Sequence, residues 1–329
     1  MSSPLNIAII GAGMAGASAA RALHEAGHRI TVFDKSRGLG GRMATRRTDR
    51  GGVDHGAQYF TARDPGFQAR VEDWLRTGAV APWGQGAVGS LAAGQWRLTQ
   101  DLPRYVGVPT MNAPVRTLLD GLNAHTGHTL TAVERKDGQW HLSTQEHGRL
   151  REAFDALLLT LPLPQVLALS LPWPEAWTRS WSALHMPPCW AALVGWTQEP
   201  EVDLGADGWF VDDPVVAWVA RNHRKPGRTP QPHWTIHTTA EWSQAHLEDS
   251  PEAVSQALSD WLRRQHGKGP ADIAVHRWRY ARCEAESSAL THWDAAQGLG
   301  VAGDWLAGGR VEGAWRSGQA LAQALLAPA

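Results

Sequence analysis

Gly11, Gly13 and Gly16, in the hexapeptide GAGMAG, have the spacing G-x-G-x-x-G. Glycines so spaced hold the pyrophosphate of a dinucleotide. The first allows a tight turn off a strand, the second lets backbone approach the phosphates, and the third lets a helix pack closely on the strand. A helix that begins there offers N–H groups and the positive end of its dipole to the anion. Asp34 lies 18 residues beyond Gly16, which suits hydrogen bonding to a ribose. The stretch that Asp34 opens, DKSRGLGGRMATRR (34–47), sets one acid beside four arginines and three glycines. It reads either as a basic surface loop that touches nucleic acid or as part of a cofactor cradle.

The flanking elements favour the cradle. Residues 5–10 (LNIAII) form a short apolar run expected to be a buried parallel strand. Residues 14–26 are Ala-rich and helical in propensity, with Gly27 at the C-cap position, and 29–33 (RITVF) form a second strand. Together they make a βαβ unit. Further on, the pattern predicts a helix over 65–78, strands within 80–106, a helix over 113–125, and strands at 129–134, 138–144 and 154–160. The Trp- and Pro-rich middle holds strand-like pieces at 189–196 and 233–240. A helix over 251–267 follows, with Ala253, Leu258, Trp261 and Leu262 toward one face. A strand at 274–282, a strand with a turn at 298–305 and a helix at 312–326 complete the pattern.

Bulk properties narrow the function. A chain of 329 residues that is 43% hydrophobic can bury a large core and suits two domains. Its net charge of −1 argues against a nucleic-acid binder, whose affinity rests on excess Lys and Arg. Cys189 and Cys283 are too few for a disulfide framework. The start MSSPLNIAII has no leader pattern, and no apolar run reaches the roughly 18 residues that span a bilayer. A cytoplasmic protein with no membrane partner is therefore expected. Tryptophan is abundant, 18 against 5 Phe, and is read mainly as core, with a few indoles free to line a pocket for a flat ligand. Fifteen histidines raise the question of a metal. The pairs His24/His28, His125/His128 and His233/His237 lack clustered Cys or an H-E-x-x-H pattern, so no metal is assigned.

Beyond Asp34 the chain resembles the flavin-containing amine oxidase superfamily, in which a doubled glycine and an arginine follow the acid-ended strand. Gly40, Gly41 and Arg42 match that pattern, with Arg37 and Gly38 just ahead. A guanidinium adds a full charge where one helix end supplies only about half a unit. GVAGDW and EGAWRSGQAL resemble the terminal flavin motif of the same superfamily, with Asp304 as the acid that bonds the ribityl chain. Gly313, Ala314 and Ser317 match the small residues that let the last helix approach. The resemblance implies a Rossmann-type FAD-binding α/β domain with a smaller α+β substrate domain. It implies cofactor contacts from Gly11, Ala12, Gly13, Met14, Ala15, Gly16, Asp34, Lys35, Gly40, Gly41, Arg42 and Met43. Further contacts are expected from Gln58, Tyr59, Val133, Thr160, Pro162, Gly303, Asp304, Glu312, Gly313, Ala314 and Ser317.

Within the superfamily, GGRMATRR with VDHGAQYFTARD is similar to the renalase group. That similarity implies non-covalent FAD, molecular oxygen as acceptor, and a nicotinamide dinucleotide as the small-molecule substrate. The implied reaction oxidises 2- and 6-dihydro isomers of NAD(P)H to NAD(P)+ with hydrogen peroxide as second product. The C-terminal flavin segment contains no cysteine for covalent attachment. Substrate-side candidates are Gln58 and Tyr59 in HGAQYF, His237 on one strand face with His233 and Thr235, and Arg279 on one face with Arg277. The four lysines, Lys35, Lys136, Lys225 and Lys268, receive no catalytic role. The expected domains are 1–54, 107–164 and 276–329 for FAD, and 55–106 with 165–275 for substrate. An FAD-dependent amine oxidase or desaturase acting on another small substrate, and a non-catalytic flavin redox module, are the alternatives.

Overall fold

A strand with no polar alternation needs cover on both faces. In the computed structural model, which describes residues 3–49, 51–84, 88–92, 95–98, 102–202, 206–285 and 287–328, the strand Asn6–Ile10 has that cover. Ile7, Ala8 and Ile9 are fully buried. The strand lies inside a six-stranded sheet of order 291–294, 299–302, 156–159, 6–10, 29–34, 123–126. All pairings are parallel except at the 291–294 edge. The sheet carries Ile10 between Phe33 and Leu159, which brings the ends of three strands level with the glycine turn.

This sheet belongs to the first of two compact units, Met1–Arg42, Pro114–Met186 and Arg282–Ala329. The helix Met14–Glu25 packs against the last helix, Val311–Leu326. The two backbones meet at Gly318, where an added Cβ would collide with the Ala15 carbonyl. Ser18 Oγ donates to the Trp315 carbonyl at 2.9 Å, and Gln319 Nε2 to that of Ser18 at 3.1 Å. A three-stranded antiparallel sheet, Leu130–Lys136, Gln139–Thr144 and Gly148–Phe154, completes the unit's strands.

The second unit, Met43–Ala113 and Pro187–Ala281, is nearly equal in length, where the sequence suggested a smaller one. Its seven-stranded sheet has the order 272–278, 189–195, 233–238, 216–221, 208–211, 88–92, 95–98. One face is apolar. Trp190, Ala192, Val194, Trp234 and Ile236 pack with Val254, Leu258, Trp261 and Leu262 of the helix Pro251–His266. Ser250 caps that helix by accepting from the Ala253 N–H at 3.2 Å, and Gly267, at φ 68°, ends it. Val254 holds the buried position expected of Ala253, which is exposed.

Three further expectations change. The helix over 113–125 stops at Leu119, because Gly121 takes a left-handed φ of 73°. Asn123–Thr126 then adds a parallel strand beside 29–34. The third strand of the meander is Gly148–Phe154, an exposed strand whose charged residues mask its period, while Ala156–Leu159 joins the parallel sheet. The compact units change over at 42, 113, 186 and 281. Residues 276–278 fall in the second unit because the strand 272–278 pairs with 189–195, and residues 45–54 because their hairpin is fastened there through Asp54.

Gly318→Val would force the two packed helices of the first unit apart. The expected cost is about 1–3 kcal/mol of stability, read as a lower denaturant midpoint with an unchanged slope.

Candidate functional site

The glycine turn is built by exclusion. Gly11, at φ 111°, donates its N–H to the Phe33 carbonyl at 2.7 Å. An added Cβ there would lie within 3 Å of the Thr160 hydroxyl and carbonyl oxygens, and one at Gly16 would strike the Gly11 carbonyl. Gly13 differs, because nothing lies within 4 Å of where its Cβ would be. It is the N-cap of the Met14–Glu25 helix, and no side chain caps that end. The first-turn N–H groups therefore face open space.

Other predicted residues gather around this turn. Asp34 accepts the Ala12 N–H at 2.7 Å through Oδ2 and the Ser36 N–H at 2.7 Å through Oδ1, which ties the strand end to the turn. The carboxylate keeps lone pairs for further donors. Gly40 donates to the Ala12 carbonyl at 2.9 Å, and Gly41 brings its backbone against Gly13. Thr160 Oγ1 donates to the carbonyls of Ile10 and Gly11 at 2.9 and 3.0 Å. Arg42 grips Asp304 with both guanidinium arms, Nη1 reaching Oδ2 at 2.9 Å. The Gly303 N–H donates to Ser317 Oγ at 2.8 Å, linking this turn to the last helix. Gly313 has no room for a Cβ beside the Ala307 carbonyl, and buried Glu312 and half-buried Ala314 flank it in the first turn of that helix.

Three further predicted contacts also lie in the first unit. Lys35 is exposed, Val133 is half-buried in the three-stranded sheet, and Pro162 starts the short helix Leu163–Leu167. The donor set of the turn fits a dinucleotide. It offers an uncapped helix end, the Arg42–Asp304 pair beside the Gly40–Gly41 turn, and an Asp34 carboxylate with lone pairs left for a ribose hydroxyl.

Met43, Gln58, Tyr59, His237 and Arg279 lie in the second unit. There Asp54 is wholly buried between two cations. Lys225 Nζ stands 3.1 Å from its Oδ2 and Arg228 Nη2 at 2.6 Å, while Thr45 Oγ1 donates to Oδ1 at 2.6 Å. Burial raises the Asp54 carboxyl, but Lys225 and Arg228 outweigh it and hold the group below its ordinary range. Burial pushes Lys225 down to about 8 against the opposing pull of Asp54. Lys225 also donates to Gln58 Oε1 at 2.9 Å, and Gln58 Nε2 donates to the carbonyls of Asp54 and Gly56 at 2.9 and 3.0 Å. Gln58 thus spends its amide on holding its own turn.

Tyr59 lies between Trp83 and Trp218 in tilted contacts, at 5.9 and 5.6 Å between centroids, with Arg104 over its ring at 5.5 Å. His237 and His276 both pair with Ala191 across three strands, which puts the two imidazoles on one sheet face. His237 Nε2 lies 3.2 Å from the His55 carbonyl, so Nε2 carries the hydrogen, and Trp278 Nε1 donates to the same carbonyl at 2.9 Å. His55 stacks on Trp278 at 5.1 Å. Burial lowers His237 to about 4, and burial with the neighbouring His276 and Arg46 lowers His55 to about 3. Arg279 is exposed and paired in two bonds with Glu248, at 2.6 and 2.9 Å, so it stands outside this buried group. Arg46 and Arg47 are exposed on the strand Thr45–Thr48, and Arg46 Nη1 donates to the Val275 carbonyl at 3.3 Å. Asp54, His55, Lys225 and Arg228 escaped the sequence reading. The run VDHGAQYF held the first two, and nothing local signals that Lys225 and Arg228 are buried.

Among the described residues, no group of three or more His, Cys, Asp or Glu is arranged to hold a metal ion, and no helix is long and apolar enough to cross a membrane.

A parallel α/β sheet, an uncapped helix at a glycine turn and a terminal acid define a dinucleotide-binding flavoprotein. Residues 9–77 match the NAD(P)-binding Rossmann-like domain, and residues 86–326 match the flavin containing amine oxidoreductase family. The chain belongs to the flavin-containing amine oxidoreductases, and FAD is the cofactor that this membership implies. It is similar to L-amino acid oxidase Lm29 of Lachesis muta, 51% identical over 51 residues. That match covers 16% of this chain and 10% of the relative. The L-amino-acid oxidase of Gloydius halys is 47% identical over 75 residues, 23% of this chain and 14% of its own. The chain thus spans about a tenth of the length of the curated relatives it matches first. A putative protoporphyrinogen oxidase from Exiguobacterium sp. 255-15 superposes with a TM-score of 0.79 at 16% identity, over 99% of both chains. Cyclohexylamine oxidase from Brevibacterium oxydans IH-35A does so with 0.76 at 13%, over 98% of both. At these identities the likeness is one of fold.

Gly13→Ala adds a methyl group to open space. Stability of the cofactor-free protein should stay within about 0.5 kcal/mol while FAD occupancy falls. The flavin-to-protein absorbance ratio of the purified variant checks this. A second outcome concerns acid. His237 and His55 fold with pKa values of about 4 and about 3 against an ordinary 6.5, so the unfolded chain binds more protons between these limits. The stability they contribute is complete above pH 6.5 and is lost as pH falls below it. His237→Gln should flatten that fall in urea titrations between pH 4 and 6.5.

Proposed function

We propose that this chain is a renalase-like FAD oxidase acting on 2- and 6-dihydro isomers of NAD(P)H. The observation that carries this reading is the protonation pattern of the second unit. His55 and His237 are held neutral, and Lys225 is tied to Asp54 and Gln58. Within this buried group none of these three is poised to strip a proton from an amine. Hydride loss from a dihydropyridine needs no such base. When held non-covalently by these residues, FAD would supply the hydride acceptor at N5, with oxygen as the terminal two-electron acceptor and NAD(P)+ and hydrogen peroxide as products.

The roles of the residues follow from their chemistry. The Met14–Glu25 helix end and Gly11–Gly16 hold the pyrophosphate, with Gly40, Gly41 and Arg42 supplying the second positive contact. Asp34 holds the adenosine ribose. Asp304 holds the ribityl chain, with Gly303, Gly313, Ala314 and Ser317 keeping the last helix close. Tyr59 and His237 bound the substrate ring, and Gln58 fixes the turn that carries Tyr59. Arg279 has no part in this reading, because its guanidinium is committed to Glu248 at the surface. Free Cys189 and Cys283 fit a cytoplasmic setting for the same enzyme.

A second reading, oxidation of a small amine, draws on the family description and on the likeness to cyclohexylamine oxidase. A third, a non-catalytic flavin redox module, needs only the cradle. Anaerobic mixing separates them. The flavin band should bleach rapidly with 2- or 6-dihydro NAD(P). Bleaching by primary amines alone would favour the second reading, and no bleaching by any donor the third.

A further inference from the structure

Trp305 follows Asp304 directly. Its indole folds back against Gly303, where an added Cβ would collide with Nε1, and that N–H donates to the Leu161 carbonyl at 3.0 Å. From this ring a line of indoles leads outward within the first unit. Trp181 meets Trp305 edge to face at 5.6 Å between centroids, and Trp177 lies 6.0 Å from Trp181. Exposure rises along the line. Trp305 is 0% exposed, Trp181 2%, and Trp177 half-buried. Trp173 branches from Trp181 at 5.5 Å.

The indole N–H groups of Trp181 and Trp173 are buried with no hydrogen-bond partner. Each carries a desolvation cost that phenylalanine would avoid while filling similar space. What indole has and phenylalanine lacks is ready one-electron oxidation. Centroids within about 6 Å also place the ring edges near contact, where one-electron steps between indoles are fast. His292 lies tilted beside Trp177 at 5.1 Å between centroids, and burial lowers its basicity.

We propose that Trp305, Trp181 and Trp177 form a one-electron relay between the flavin-binding segment and the protein surface. It rests on the reading of Asp304 as a flavin contact. Under blue light, Trp305 gives one electron to the oxidised flavin. Trp181 refills Trp305, and Trp177 refills Trp181. The indole proton of Trp177 passes to solvent, which leaves a neutral indolyl radical at the surface. A dissolved thiol returns one electron and one proton to it; two such rounds deliver two electrons to the flavin, and the two thiyl radicals so formed combine as a disulfide.

Flash photolysis of the anaerobic FAD-loaded protein tests this, with dithiothreitol as the thiol in steady illumination. Wild type should show the long-lived visible absorption of a tryptophanyl radical and should accumulate reduced flavin. Trp181→Phe and, separately, Trp177→Phe should lose the long-lived radical and reduce flavin several-fold more slowly. Their FAD occupancy and dark bleaching by the dihydro substrate should match wild type. Equal radical yield in wild type and both variants, or no radical in wild type that carries FAD, overturns the relay and leaves the cofactor reading intact. A protein that cannot be loaded with FAD overturns both.

Discussion

The first unit depends on backbone approaching backbone without side chains between. Gly11 and Gly16 leave no room for a Cβ, so strand and helix meet closely enough for the helix end to open onto space above Gly13. Everything else in the cradle is hung on that junction. Asp34 is tied to it through the Ala12 N–H, the Gly40–Gly41 turn through the Ala12 carbonyl, and Thr160 through the Gly11 carbonyl. An anion placed there meets donors already oriented, so little ordering is left to be done on binding.

The second unit is organised by a charge imbalance. One buried carboxylate, Asp54, faces Lys225 and Arg228, and the excess cation is relieved by a lysine whose affinity for its proton is reduced. Removing one member of such a group strands another without solvent, which is far more costly than never having built it. The group clamps the turn 54–58 from both ends, through Gln58 and through the Asp54 carbonyl that accepts from Thr235. The neighbouring His55 carbonyl then anchors His237 and Trp278.

Local chemistry was legible in the sequence where each short motif carries its own backbone signature. GAGMAG, Asp34, the doubled glycine with Arg42, and Asp304 with Ser317 all meet around one turn. The helix 251–266 was legible from its spacing, apart from the exchange of Ala253 for Val254. What could not be read is what arises only from tertiary burial. Lys225 and Arg228 sit in the turn NHRKPGR, which reads as solvated surface, and only the sheet that folds over it makes them core. Arg279 failed in the opposite direction. Strand alternation placed it on a face, and Glu248 from a neighbouring helix–loop segment claimed it. The strand 148–154 was missed because both its faces carry charge, so no period of two survives.

The first and last helices are joined at Gly318 and Ser18, and Arg42 is joined to Asp304. During synthesis the segment 43–113, and later 187–281, must be made before those partners exist. The early βαβ segment therefore leaves the ribosome with an unpaired helix face and an open sheet edge. The sheet edges are covered once the strands 123–126 and 156–159 are made, but the helix face must wait for the last helix, 311–326. Contacts so distant in sequence fold slowly and leave apolar surface exposed to aggregation. For this protein the hazardous interval is the lifetime of the nascent chain, and expression yield should respond to elongation rate and chaperone supply more than to the stability of the finished fold.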